Sequence, residues 1–150
     1  MTTTVAYADV AGLAGTDLGW SEYLEITQDR VDLFADATDD HQWIHTDPER
    51  AKDGPFGGAI AHGYLSLSLT VKFWTEVLDV TGVTTKVNYG LDKVRFVSPV
   101  PVGSRIRLTG TIAYVTEVGG GYQLAVDQTV EIEGGDQPAV VARGLYRFSA

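Results

Sequence analysis

The chain has 150 residues, 44% hydrophobic and 21% charged, which fits one globular domain over residues 1–150 and excludes a disordered or fibrous chain. Its formal net charge of -9 opposes broad adhesion to nucleic acid or anionic lipid. With no cysteine, it has neither disulfides nor the thiolates of the commonest structural zinc sites.

Met1 to Asp9 lacks the basic start and apolar core of a secretory signal, and no later run is long enough to span a bilayer, so a cytoplasmic location is expected. Trp20 to Ile26 reads as a strand. Thr27 then caps a short helix whose Val31, Phe34 and Ala35 share one face and which ends near Ala37. Thr38 to His45 is a polar loop interrupted by Trp43 and Ile44. Asp47 followed by Pro48 starts another short helix, and Asp53 to Gly58 breaks it.

From His62 to Leu78 the apolar residues lie almost all round a helical wheel, which predicts a helix enclosed by protein. Beyond Thr85 the period changes to two. Ile106, Leu108, Ile112 and Tyr114 share one parity, as do Tyr122, Leu124, Val126, Val130 and Ile132, and then Val140, Tyr146 and Phe148. Gly119 to Gly121 and Gly134 to Asp136 supply hairpin turns, so these strands form an antiparallel meander. One buried helix and a long antiparallel sheet give an α+β domain whose sheet wraps the helix.

Asp40 and His45 stand five residues apart in the polar loop, where a carboxylate and an imidazole can converge. Taken singly, such residues are turn formers and solvated side chains. The run from Phe34 through Ala35, Asp39, Asp40, Gln42, Trp43 and Ile44 to His45, with Ala51 six positions later, resembles the signature of the MaoC-like, R-specific enoyl-CoA hydratases. That pattern has an aromatic residue, a small residue, glycine, aspartate, asparagine, proline, an aliphatic residue and histidine. The segment from Gly57 through His62 and Gly63 resembles the family's entry to its central helix, and Arg95 through Pro99 and Gly103 its later strand and turn.

The resemblance implies a hot-dog fold, with Asp40 and His45 as catalytic residues. It also implies reversible addition of water to a trans-2-enoyl-CoA, giving an (R)-3-hydroxyacyl-CoA. Three positions depart from the pattern: Asp39 replaces glycine, Gln42 asparagine and Trp43 proline. The Gln42 amide keeps a donor and an acceptor with which to position the loop or a water at the substrate, the alternative being an amide that faces solvent.

Hydrating a conjugated thioester needs a base for the water, a proton for the α-carbon and stabilisation of the enolate oxygen. Asp40 and His45 can share the first two tasks, and which of them is the base stays open. For the third, the backbone amide of Gly63 lies at the expected helix start; the alternative is that Gly63 only permits close packing. His62 reads as structural. No metal is expected, because the three histidines show no ligand spacing, and no cofactor beyond the coenzyme A of the substrate.

Tyr64, Leu67 and Val71 read as core, the alternative being that part of their face lines an acyl tunnel. Lys93, Arg95, Arg105 and Arg107 alternate along two segments, either as a cationic rim for substrate phosphates or as a solvated strand face. A homodimer is expected, since the resemblance implies two protomers and a single sheet leaves edges unpaired. Three other functions fit the same scaffold: dehydration of a 3-hydroxyacyl chain on acyl carrier protein, thioester hydrolysis, and non-catalytic acyl binding.

Overall fold

The computed structural model describes residues 2–150. Strand β1 (Thr3–Ala6) and a 3-10 helix over Tyr7–Leu13 come first. Strand β2 covers only Leu24–Glu25, much less than the Trp20 to Ile26 strand that alternation suggests. Here the Leu108 amide donates to the Ser21 hydroxyl at 2.9 Å, so a side chain displaces part of the ladder.

Helix α1 (Gln28–Thr38) begins where expected: the Thr27 hydroxyl accepts from the Arg30 amide at 3.1 Å and satisfies one free donor of the first turn. Val31 and Ala35 are buried, and Phe34 packs against the same core. Helices α2 (Trp43–Thr46) and α3 (Pro48–Ala51) follow. Asp47 caps α3 through the Arg50 amide at 3.1 Å, and Pro48 opens it, where no amide is needed.

The expected single helix from His62 to Leu78 is two pieces, α4 (Gly63–Ser68) and α5 (Thr70–Val77). The Ser68 hydroxyl donates to the Tyr64 carbonyl and the Thr70 hydroxyl to the Leu67 carbonyl, each at 2.7 Å. The interruption is Leu69 alone, which keeps right-handed helical dihedrals (φ -69°, ψ -14°); hydroxyls bonded back onto the helix flank it and compete with its ladder. Leu78 belongs to strand β3 (Leu78–Thr81), which pairs in parallel with β1.

The helices are not enclosed on all sides. Leu65, Leu69, Phe73, Trp74 and Val77 face the core, whereas Tyr64 is 70% exposed and Leu67 and Val71 are half-buried. The core reading is therefore corrected for Tyr64, whereas Leu67 still packs against the core. Tyr64 and Leu67 face an open apolar groove, shared with Phe34, Leu91, Val94 and Phe96, of about 620 Å³.

Strands β4 (Thr85–Phe96), β5 (Arg105–Val118), β6 (Gly121–Ile132) and β7 (Pro138–Ser149) make up the rest of the antiparallel sheet, in the order β2-β5-β6-β7-β4. Gly120 (φ 84°) and Gly134 (φ 77°) take the left-handed conformation in the two hairpin turns. Ile106, Leu108, Ile112, Leu124, Val126, Val130, Val140, Tyr146 and Phe148 all point into the core, as their parity requires. Sheet and helices together form the hot-dog fold. No described helix is long and apolar enough to cross a membrane.

Candidate active site

Asp40 follows the one described non-glycine residue with positive φ, Asp39 at 61°. Asp39 is the C-cap of α1, where chains commonly turn left-handed, usually at glycine. The family's glycine thus has a backbone reason, and aspartate is among the residues that tolerate this conformation. The turn brings Asp40 to His62, whose Nε2 donates to the Asp40 carbonyl at 2.9 Å and lies 4.0 Å from Oδ2 of its carboxylate.

His45 sits on the short helix α2, nucleated where the Gln42 carbonyl accepts the amides of His45 (3.0 Å) and Thr46 (3.2 Å). Gln28 of α1 ties this turn down by donating to the His45 carbonyl at 2.7 Å. The imidazole is fixed from the other side, because His45 Nδ1 donates to the Ile60 carbonyl at 2.7 Å. A carbonyl can only accept, so Nδ1 carries the proton and Nε2 of the neutral ring keeps its lone pair.

Burial pushes the His45 imidazole below its usual pKa, against the raising effect of the Ile60 hydrogen bond; neighbouring His62 lowers it further and Asp40 raises it. The two imidazoles stack with centroids 3.9 Å apart. His45 is 7% and His62 3% exposed, while the Asp40 side chain is 52% exposed. Asp40 therefore stands at the mouth of the group and His45 at its floor.

His45 opens onto a cavity of about 290 Å³ that Gly63, Ser66, Ile60, Phe96 and Val140 also line. As the first residue of α4, Gly63 presents an amide that no carbonyl of its own helix can accept. A Cβ at Gly63 would lie 3.1 Å from the Phe96 ring. Close packing thus explains why this residue is glycine, and it leaves the amide free for another use.

Sequence reasoning read His62 as structural and missed that it joins the pair, although its position next to Gly63 was a usable signal. Asp40, His45 and His62 each bring one ligand-type atom within 4.8 Å of the others. Each imidazole donates one ring N–H to a backbone carbonyl, which fixes the orientation of both rings and leaves His45 Nε2 free to exchange a proton. Gly54 was missed as well. Its missing Cβ leaves room for the Trp43 indole, which a Cβ would approach to 2.8 Å, and Arg50 covers that ring at 4.3 Å.

Gln42 is exposed at the start of α2. The basic residues do not form one rim within the chain. Lys93 and Arg95 lie on the edge strand β4 and border a groove with Asp127 and Arg143. Arg105 and Arg107 lie on β5, beyond β7 and β6 in strand order, where they pair with Glu133 and Glu131.

The hot-dog fold, with a carboxylate and a neutral imidazole meeting beside a helix-start amide, defines a protein of the hydratase and dehydratase class. The chain belongs to the MaoC-like domain family, whose pattern matches residues 9–133. It is 50% identical over 151 aligned positions to the 3-hydroxyacyl-thioester dehydratase Z of Mycobacterium tuberculosis, covering 100% of both chains. It is 44% identical to Nodulation protein N of Rhizobium leguminosarum bv. viciae, covering 94% of this chain and 89% of that one. Among solved structures, an R-hydratase from Pseudomonas aeruginosa superposes with a TM-score of 0.73 at 21% identity, covering 91% of this chain and 81% of that one.

Proposed function

We propose that the chain interconverts (R)-3-hydroxyacyl thioesters and trans-2-enoyl thioesters by removing or adding water, with the 3-hydroxyacyl thioester as its characteristic substrate. The observation that carries the reading is that Asp40 meets the buried His45, which shares a cavity with Gly63. The strong likeness to a 3-hydroxyacyl-thioester dehydratase favours the dehydrating description over one confined to enoyl-CoA hydration.

In this mechanism the Asp40 carboxylate and His45 Nε2 handle the two proton transfers, one at the β-oxygen and one at the α-carbon. The Gly63 amide receives the negative charge that builds on the thioester oxygen between them. Stacked on His45, His62 holds the Asp40 backbone in place. Direct turnover tests the proposal: enoyl-thioester absorbance should fall with enoyl substrates and appear with (R)-3-hydroxyacyl substrates. Matched CoA and carrier-protein thioesters would rank the carriers. Release of free thiol from both substrates, with no enoyl absorbance appearing from the (R)-3-hydroxyacyl thioester, would instead make the chain a thioesterase.

Lys93 and Arg95 are the basic residues best placed to meet a carrier's phosphates, whereas Arg105 already faces Glu133. Replacing Lys93 and Arg95 with alanine should raise KM more for CoA thioesters than for pantetheine thioesters. Arg105→Ala should do so less. Equal effects on both substrates would remove phosphate recognition from these residues.

A further inference from the structure

Three hydroxyls lie close together along the central helices, at Ser66, Ser68 and Thr70, and they are used differently. Ser68 and Thr70 bond back to helix carbonyls at 2.7 Å. Ser66 is 1% exposed, yet its Oγ has no hydrogen-bond partner among the described residues. The carbonyl it would ordinarily reach is that of His62, which already accepts the Leu65 amide at 3.0 Å and the Ser66 amide at 3.3 Å. A buried hydroxyl left unpaired loses its bonds to water without replacement, so an unpaired Ser66 needs an explanation outside its helix.

Ser66 lines the same cavity as His45 and Gly63. It stands three residues after Gly63, so the two share one face of α4 one turn apart. Side chains on a helix tilt toward its N-terminus, which carries the Ser66 hydroxyl back toward the free Gly63 amide. Two donors spaced in this way can converge on one acceptor oxygen placed between them.

We infer that the Ser66 hydroxyl is a second hydrogen-bond donor to the substrate's thioester carbonyl oxygen, acting beside the Gly63 amide. The inference rests on the function proposed above. It gives Ser66 a part in the developing enolate charge, separate from the proton transfers of Asp40 and His45.

The test uses Ser66→Ala, which removes the donor, and Ser66→Thr, which keeps it. A saturated acyl-CoA, which cannot be hydrated, is bound to the parent and to each variant, and its thioester C=O stretch is read by difference Raman spectroscopy. The parent and Ser66→Thr should lower the stretch, and Ser66→Ala should return it part of the way toward its value in water. In turnover, Ser66→Ala should lose on the order of 100-fold in kcat with little change in KM. Ser66→Thr should restore most of that loss.

Parent-like stretch and kcat in a folded Ser66→Ala protein would overturn the inference. If Ser66→Ala does not fold, Ser66→Cys, a much weaker donor of similar size, takes its place and should show the same losses. A parent that binds the acyl-CoA with a lowered stretch but turns over no enoyl or hydroxyacyl thioester would sink the proposed function alone. A parent that binds no thioester would sink both.

Discussion

Asp40 and His45 reach one another through backbone features on either side: the left-handed turn at Asp39 and the carbonyl of Ile60. Asp40 is half-exposed and His45 opens onto the cavity, so Asp40→Asn and His45→Ala should fold and bind thioester while losing turnover by orders of magnitude. If they act as one unit, the double variant should be little worse than either single one. Near-parent turnover by folded Asp40→Asn protein would remove the mechanism. His45 also sets a pH dependence. Its folded pKa lies below the unfolded value of about 6.5, so below that pH the unfolded chain binds a proton that the folded chain refuses. Stability should therefore be full above about pH 6.5 and decline as pH falls toward the folded value. Urea midpoints at pH 7.5 and 5.5 should separate more for the parent than for His45→Gln; equal separation would contradict this account. The sequence made the pair legible because its spacing and flanking residues follow a family pattern. His62 was not legible in that way, because its place at the site depends on a bond to a backbone carbonyl twenty-two residues away.

Helix α5 shows how far periodicity carries at the scale of an element. Phe73, Trp74 and Val77 were expected inside and are buried. Phe73→Ala should cost about 3–5 kcal/mol, since a fully buried ring would leave a cavity between helix and sheet; denaturant unfolding would measure it, and a cost below about 1 kcal/mol would show that the core collapses to fill the space. The sheet strands were equally readable, because alternation on β5, β6 and β7 reports one wet and one dry face. The break between α4 and α5 was not. Serine and threonine inside an apolar run look harmless on a helical wheel, and only the structure shows their hydroxyls bonded back to helix carbonyls on either side of Leu69. Tyr64 was misjudged for a related reason: an aromatic residue near a helix start reads as core, but here it faces the groove beside β4.

At the scale of the molecule, β4 presents a free sheet edge among the described residues. Twelve residues long, it pairs only with β7 and exposes Val87, Tyr89 and Leu91, and an edge of that kind invites a second strand. Two copies that joined their β4 edges would extend both sheets and shelter the groove around Tyr64 and Phe96, consistent with the expected homodimer. Light scattering should give twice the 16.2 kDa chain mass, and Val87→Lys with Leu91→Lys should reduce it to the chain mass. A fully active monomeric parent would contradict this arrangement. The molecule also carries its own light source near the proposed chemistry. Of its three tryptophans, Trp74 is sealed between Tyr146 and Phe148 and Trp20 lies under Arg107, exposed to solvent. Trp43 alone sits two residues from His45, half-buried beneath the Arg50 cation. This indole thus makes the loop fluorescent, so an arriving substrate can be followed by emission with no added dye, against the background of Trp74 and Trp20.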